Sequence, residues 1–343
     1  MALGLTELNH DVRLFGKSDR SGTWPGYRLS GSGPLGGSFQ TAGFVMSGVA
    51  AIARDRPDHL ISTHVNFGPA AQLAKRFFGT PFTLVAHGID VHQGLPRRTL
   101  AALRDADRII AVSAWTRDRV LDLGGIEPRN VTVLPNTMDK EEFTVGPVPT
   151  SLRQKYGIRD GERVVLTVAR LDHRERYKGY DRIIEAMPAI QRECGPVRFL
   201  IVGEGEDKAR VGALARERHV DSAVSFAGFV PAESLVDHYR LADVFAMPST
   251  GEGFGIVFLE AMGCGTPVVA GNRDGSIDAL DGGWLGLAIE PMYIDGIAEA
   301  ISSILEGRGP GLWFNRKLLH EAASARFGQK AFVRWLREAL PFQ

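Results

Sequence analysis

Two carboxylates stand eight positions apart in an otherwise apolar, glycine-rich run, STGEGFGIVFLEAMGCGTPVVAG, residues 249–271. Glu252 lies in a loop-like stretch, and Glu260 sits inside FGIVFLEAMG, which carries no other charge. A buried carboxylate is costly unless hydrogen-bond donors meet it. Two readings satisfy that demand. In one, ligand hydroxyls such as the pair on a ribose occupy Glu260. In the other, Glu252 caps a helix and Glu260 is an ion-paired core residue. TGEGFG adds three glycines just ahead of a helical pattern. Such a turn lets backbone approach a ligand, and the helix amino end favours negative charge there.

A second stretch, VARLDHRERYKGYDRIIEAM, puts Arg170 at the end of an apolar strand pattern and Lys178 just before a helix. Strand ends of open α/β sheets are where ligands bind, and two cations there suit a diphosphate. The alternative is a solvated basic loop, which describes the neighbouring Arg174 and Arg176 well. Residues 18–39, SDRSGTWPGYRLSGSGPLGGSF, are dense in Gly, Ser and Pro. They read either as a mobile surface loop or as an anion cradle opening a helix.

The elements that must position these residues alternate. Strand-like runs are HDVRLFG, DHLISTHV, FTLVAHG, RIIAVS and NVTVLPN, then RVVLTVAR, VRFLIVGEG, VSFAGFV, DVFAMPS and TPVVAG. Helical stretches such as AAQLAKRFFG, GYDRIIEAMPAIQREC and ESLVDHYRLA separate them. Val, Ile and Leu runs without strict alternation indicate strands buried on both faces, hence parallel sheets. Strand–helix alternation over 343 residues predicts an α/β chain of two doubly wound, Rossmann-like domains. The boundary is expected in 144–157, TVGPVPTSLRQKYG, giving domains at 1–148 and 149–322. A closing helical segment, 323–343, shows Phe327, Ala331, Phe332, Trp335 and Leu336 at three- and four-residue spacing.

Bulk properties exclude several classes. Lys+Arg and Asp+Glu both number 40, so no global charge points to nucleic acid or an anionic membrane. Two cysteines, Cys194 and Cys264, are too few for a disulfide framework and suit a reducing compartment. No apolar stretch approaches the roughly 20 residues of a membrane span. MALGLTELNHDVRLFGK lacks the sustained apolar core of a signal peptide. A cytoplasmic protein is expected, with peripheral contact at the inner face of the membrane left open.

The combination resembles a known family. EGFGIVFLE fits the E-x7-E motif of retaining family-4 glycosyltransferases (glycosyl transferases group 1), which have two Rossmann-like domains in the GT-B arrangement. VLTVARL with YKG, FLIVGEGEDKARV, VSFAGFVPAESLVDHYRLADVFAMPS and GCGTPVVAG agree, in order. LVAHGIDV, ADRIIAVSAWTRDRVLDLG and VLPNTMDKEEF look like segments of the first domain. The resemblance implies that Glu252 contacts hydroxyls of a donor sugar, Glu260 the nucleotide ribose, and Arg170 and Lys178 the diphosphate. It implies that Gly253, Phe254, Gly255 and Ile256 line the sugar–phosphate end with backbone groups. Gly203 and Gly205 would border the nucleotide pocket, with the base held near Phe229 and Val230. His87 matches a family histidine near the donor sugar, where imidazole can donate to a sugar oxygen or stabilise positive charge. Asp90, Ser113 and Asn136 could serve the site or equally be turn or cap residues.

As an activity, the resemblance implies a retaining, metal-independent transfer from a UDP- or GDP-sugar to a glycan, lipid-linked or small-molecule acceptor, in bacterial polysaccharide or glycoconjugate synthesis. No cofactor, metal or nucleic acid is expected; DGERVV and DGSID read as turns, and no Asp-x-Asp supports a metal site. The rivals are a non-catalytic nucleotide-sugar-binding relative and a sugar-nucleotide epimerase of the same architecture. Three departures from the family stand out. The first strand and glycine loop seen in the family are not found before HDVRLFG. Either the start at Met1 falls too late, which is the favoured reading, or residues 31–38 replace the loop in part, or the protein is impaired. Arg170 and Lys178 are further apart than is common, through DHRERY. Thr137 in PNTMD stands where the family has glycine, in a turn expected to favour positive φ.

Overall fold

The computed structural model describes residues 1–16, 22–24, 27–31, 37–91 and 94–340. The chain divides into two compact units, one of Met1–Leu134 with Gln329–Gln343 and one of Pro135–Gly328. Each is an α/β unit with parallel strands.

In the first unit the strands are β1 (Val12–Gly16), β2 (Gly22–Trp24), β3 (Tyr27–Gly31), β4 (Leu60–Ser62), β5 (Phe82–Ala86), β6 (Arg108–Ala111) and β7 (Val131–Val133). They form a parallel sheet in the order β4-β5-β6-β7 and a small sheet in the order β1-β3-β2. Strand β5 is buried along its whole length, as an uninterrupted FTLVA run demands. Helix Ala2–Glu7 precedes β1. The glycine-rich stretch is not simply loop: β2 and β3 pair antiparallel within it. Residues 17–21, 25–26 and 32–36 of that stretch, and with them most of the proposed replacement loop at 31–38, lie outside the described residues.

The second unit carries β8 (Arg163–Val168), β9 (Val197–Val202), β10 (Val224–Gly228), β11 (Val244–Met247), β12 (Val268–Gly271) and β13 (Leu287–Ile289). All pair in parallel, in the order β10-β9-β8-β11-β12-β13. This is the doubly wound order: the chain runs outward from β8 to β10, then crosses back to β11 on the other side of β8. The crevice at the carboxyl ends of β8 and β11 is therefore the topological switch point. Val165, Phe199, Ile201, Val244 and Ala246 from the central strands pack with Ile183, Ile184, Met187 and Ile301 from the covering helices. The covered sheet is the rigid base on which the strand-end loops stand.

The expected boundary stretch, 144–157, lies inside the second unit. The chain joins that unit from Pro135 onward: the Met138 amide donates to the Phe327 carbonyl at 3.1 Å, and the Phe143 ring meets Tyr239 edge-on. Thr137 does not adopt positive φ, contrary to expectation. Its hydroxyl donates to the Phe327 carbonyl at 2.8 Å, which accounts for a polar side chain at that turn. The closing segment is two helices, Arg316–Phe327 and Gln329–Ala339, broken where Gly328 turns extended (ψ 170°). Only the second belongs to the first unit, where Leu336 and Phe332 lie so close to Gly4 that a Cβ there would meet Leu336 Cδ2 at 2.9 Å.

Candidate functional site

The site residues of the second unit are carried by four strand-end loops. Beyond β8 the backbone of Ala169–Leu171 is held by β9 through main-chain groups alone. The Ala169 amide donates to Val202, that of Leu171 to Glu204, and the Leu171 carbonyl accepts from Asp207, each at 2.9 Å. Gly203 (φ 132°) and Gly205 (φ 153°) make this possible. A Cβ on either would stand 2.0 Å from the carbonyl of Ala169 or Leu171. These two glycines, read as bordering a nucleotide pocket, thus also fix the strand end from which Arg170 projects. Arg170 itself is largely exposed, at 72% of its side chain.

Lys178 closes a 3-10 turn, His173–Lys178, that Asp172 caps by accepting the Arg174 amide at 2.9 Å. Gly179 follows with φ 79°, and a Cβ there would lie 2.4 Å from the Pro248 carbonyl, so the turn rests directly on the loop after β11. Three further bonds join these loops. The Thr250 amide donates to Tyr177 at 2.9 Å, and Arg182 Nη2 donates to the carbonyls of Pro248 (2.6 Å) and Tyr177 (3.1 Å). Lys178 and Glu252 are brought together by this stapling of loops 74 residues apart in sequence.

Glu252 is anchored by its own backbone. Its amide donates to Asp274 Oδ2 at 2.7 Å and its carbonyl accepts from Gly275 at 2.9 Å. Asp274 is fully buried and also receives Ser249 Oγ (2.8 Å) and the Ser276 amide (3.0 Å). Burial raises the Glu252 carboxyl above its ordinary range; Lys178 opposes this, while Asp274 and Glu175 add to it. Glu175 sits between the two cations. One of its oxygens pairs with Arg170 and the other with Lys178 at 3.0 Å.

After Glu252 the chain turns at Gly255 (φ 88°), where a Cβ would strike the Phe258 ring at 2.4 Å. Helix Ile256–Gly263 begins there with no side-chain cap, which leaves its first amides for another acceptor. Phe254 is core: its ring is buried against Phe327. Ile256 is half exposed and Phe229, beyond β10, is exposed beside the partly buried Val230. Glu260 is not part of the Lys178 cluster's hydrogen bonds. Its Oε2 accepts the hydroxyl of fully buried Tyr239 at 2.6 Å. Burial raises its carboxyl, Tyr239 counteracts, and Glu142 adds slightly. The core-glutamate reading thus has a partner, a neutral phenol rather than a cation.

In the first unit His87 follows β5 and is exposed. Its Nε2 lies 2.8 Å from the Thr63 carbonyl, which fixes the proton on Nε2 and leaves Nδ1 as an acceptor. Asp90 receives the His87 amide at 2.7 Å. Ser113 is a cap: its oxygen accepts from the Thr116 amide at 2.9 Å. Asn136 lies at the start of the second unit, beside Thr137.

Sequence reasoning missed Asp274 and Arg182, whose hydrogen bonds hold the loops together. DGSID looks like a turn, and its buried aspartate carries no motif of its own. Among the described residues one group has cation-binding spacing, Asp172, His173 and Glu206, with ligand atoms within 4.8 Å. His173 and Glu206 are exposed and already pair with each other, which is the whole of what the geometry requires.

Comparisons with known proteins agree with this architecture. The family model for glycosyl transferases group 1 matches residues 149–324, and that for the glycosyl transferase 4-like domain matches 1–137. A GDP-mannose-dependent alpha-(1-6)-phosphatidylinositol monomannoside mannosyltransferase of Mycobacterium tuberculosis is 34% identical over 270 residues, 73% of this chain and 68% of its own. A D-inositol 3-phosphate glycosyltransferase of Mycobacteroides abscessus is 29% identical, covering 85% and 68%. Among solved structures, sucrose-phosphate synthase from Thermosynechococcus elongatus superposes with TM-score 0.79 at 22% identity, covering 98% of this chain and 90% of that one. Anabaena HepE in complex with UDP gives 0.75 at 21% identity, covering 90% and 85%. Family matches over both units, a relative above 30% identical across most of its length, and the shared two-unit fold lead to one assignment: the chain is a glycosyltransferase of group 1.

Proposed function

We propose that the second unit binds a nucleotide-diphosphate hexose and that the protein transfers the hexose, with retention and without a metal, to a glycan or lipid-linked acceptor. The observation that carries this reading is the cluster of Arg170, Lys178 and Glu252 at the sheet's switch point, beside an uncapped helix amino end. In it the diphosphate takes the two cations and the first amides of helix Ile256–Gly263. Glu252 receives sugar hydroxyls, and Glu260 the ribose. Backbone of Gly253–Ile256, Gly203–Gly205 and Phe229–Val230 lines the ligand.

The chemistry follows from charge. As the C1–O bond to the diphosphate breaks, negative charge grows on the departing oxygen and positive charge on the sugar. Fixed cations and amides aimed at that oxygen are the largest stabilisation a protein offers such a step. The acceptor oxygen bonds to C1 on the face the diphosphate leaves, and its proton passes to the departing diphosphate oxygen. The names of the mycobacterial relatives make GDP-mannose the first donor to try.

A thermal-shift series with UDP, GDP, UDP-glucose and GDP-mannose tests the reading. A ligand present at about 100 times its Kd adds about 2.7 kcal/mol to the stability of the unit it binds. One diphosphate series is expected to raise the melting point, and Lys178→Ala to abolish the shift. No shift with any nucleotide overturns the donor-site assignment.

A further inference from the structure

The Arg170–Lys178 segment is longer than the family resemblance leads one to expect, and the added turn brings a carboxylate. Glu175 is 13% exposed and spans both cations, Arg170 by one oxygen and Lys178 by the other at 3.0 Å. Its backbone departs from the helical turn around it (φ −109°, ψ 15°), and its amide is tied to the Asp172 carbonyl at 2.8 Å. Two acceptor oxygens on one carbon, each facing one cation, mimic two oxygens of a phosphate. Arg170, Lys178, Glu175 and Glu252 together carry no formal net charge when all are ionised. A ligand with two or more negative charges gains little from entering a neutral cluster that also holds buried Asp274.

We propose that Glu175 is a built-in anion that occupies the cations in the donor-free protein and is displaced by the donor's diphosphate. This rests on the donor-site reading. Exchange of one anion for another keeps Arg170 and Lys178 paired at every stage. It also sets how tightly the diphosphate product is held, because Glu175 competes for the same two groups as the product leaves. Glu175 is in this sense a positioning residue that tunes donor affinity and product release.

The test compares Glu175→Gln with the unchanged protein by calorimetric titration of GDP, UDP and the matching nucleosides, and by steady-state kinetics with the donor found active. Binding of the preferred diphosphate is expected to tighten about tenfold, the size of one partly shielded charge contact. Nucleoside affinity, which involves no phosphate, is expected to stay unchanged. KM for the donor falls, and kcat falls with it where product release limits turnover. Glu175→Ala repeats the test should the amide disturb the turn, and melting without ligand reports folding. Weaker or unchanged diphosphate binding in a folded variant overturns the proposal while leaving the donor site intact. Loss of folding in both variants makes Glu175 structural and also overturns it. Absence of any nucleotide binding by the unchanged protein overturns the donor-site reading itself.

Discussion

Replacing Asp274 by Asn probes the support beneath Glu252 without touching the proposed ligand-binding groups. The buried carboxylate accepts the Glu252 amide and Ser249 Oγ at one oxygen and the Ser276 amide at the other. Asparagine keeps the shape but converts one oxygen to a donor. Whichever way the amide turns, its NH2 faces an N–H that can no longer bond. Losing a charge-assisted bond and leaving a buried donor unmet costs about 2–4 kcal/mol. For a unit near 200 residues that lowers the melting point by about 5–12 °C. The released loop also frees the Glu252 amide, so donor affinity is expected to fall about tenfold or more. Scanning calorimetry without ligand reads the first effect, because bound donor would mask it; titration with the active nucleotide sugar reads the second. A variant that melts within about 2 °C of the parent and binds donor equally well refutes the idea that Asp274 holds the loop.

Two further outcomes concern titration. The Glu260 carboxyl is raised above its ordinary value of 4.5 by burial, so the stability it contributes at low pH is lost as pH rises through its higher folded-state value. Glu260→Gln keeps an acceptor for Tyr239 but has no charge to bury. It is expected to be more stable than the parent at pH 7 and equal to it near pH 4, while binding nucleoside diphosphate less well; equal stability at both pH values contradicts the burial argument. His59, held neutral by burial with its pKa pushed down to about 4, gives stability that is present above 6.5 and lost as pH falls towards 4. Its Nε2 lies 2.8 Å from Thr83 Oγ1, so His59→Gln retains a polar partner there. The acid limb of the first unit's melting curve is expected to flatten between pH 6.5 and 4 in that variant, and an unchanged limb removes His59 as its cause.

Much of the frame is legible in the sequence. Every strand of the two main parallel sheets but β13 lies in an apolar, strand-like run, and Gly255 of GEGFG and Gly179 of YKG mark turns with positive φ. Strands β2 and β3 escape notice because their Gly-, Ser- and Pro-rich composition reads as loop and their pairing is set by β1. The break at Gly328 is hidden by apolar spacing that runs on across it, since periodicity reports a buried face and not the continuity of the backbone. Asp274, Arg182 and Glu175 act through partners 22 to 66 positions away or through the conformation of a turn, and local pattern carries neither. Glu260 is anomalous from its setting alone, but Tyr239 cannot be named as its partner from sequence, because pairing between neighbouring helices is a property of packing.

The aim of Arg170 depends on amides, carbonyls and the missing side chains of Gly203 and Gly205. Nothing in that attachment uses the side chains of Glu204 or Phe229, which flank it. Exchange of those two side chains therefore leaves the backbone hold on the strand end that carries Arg170 as it is.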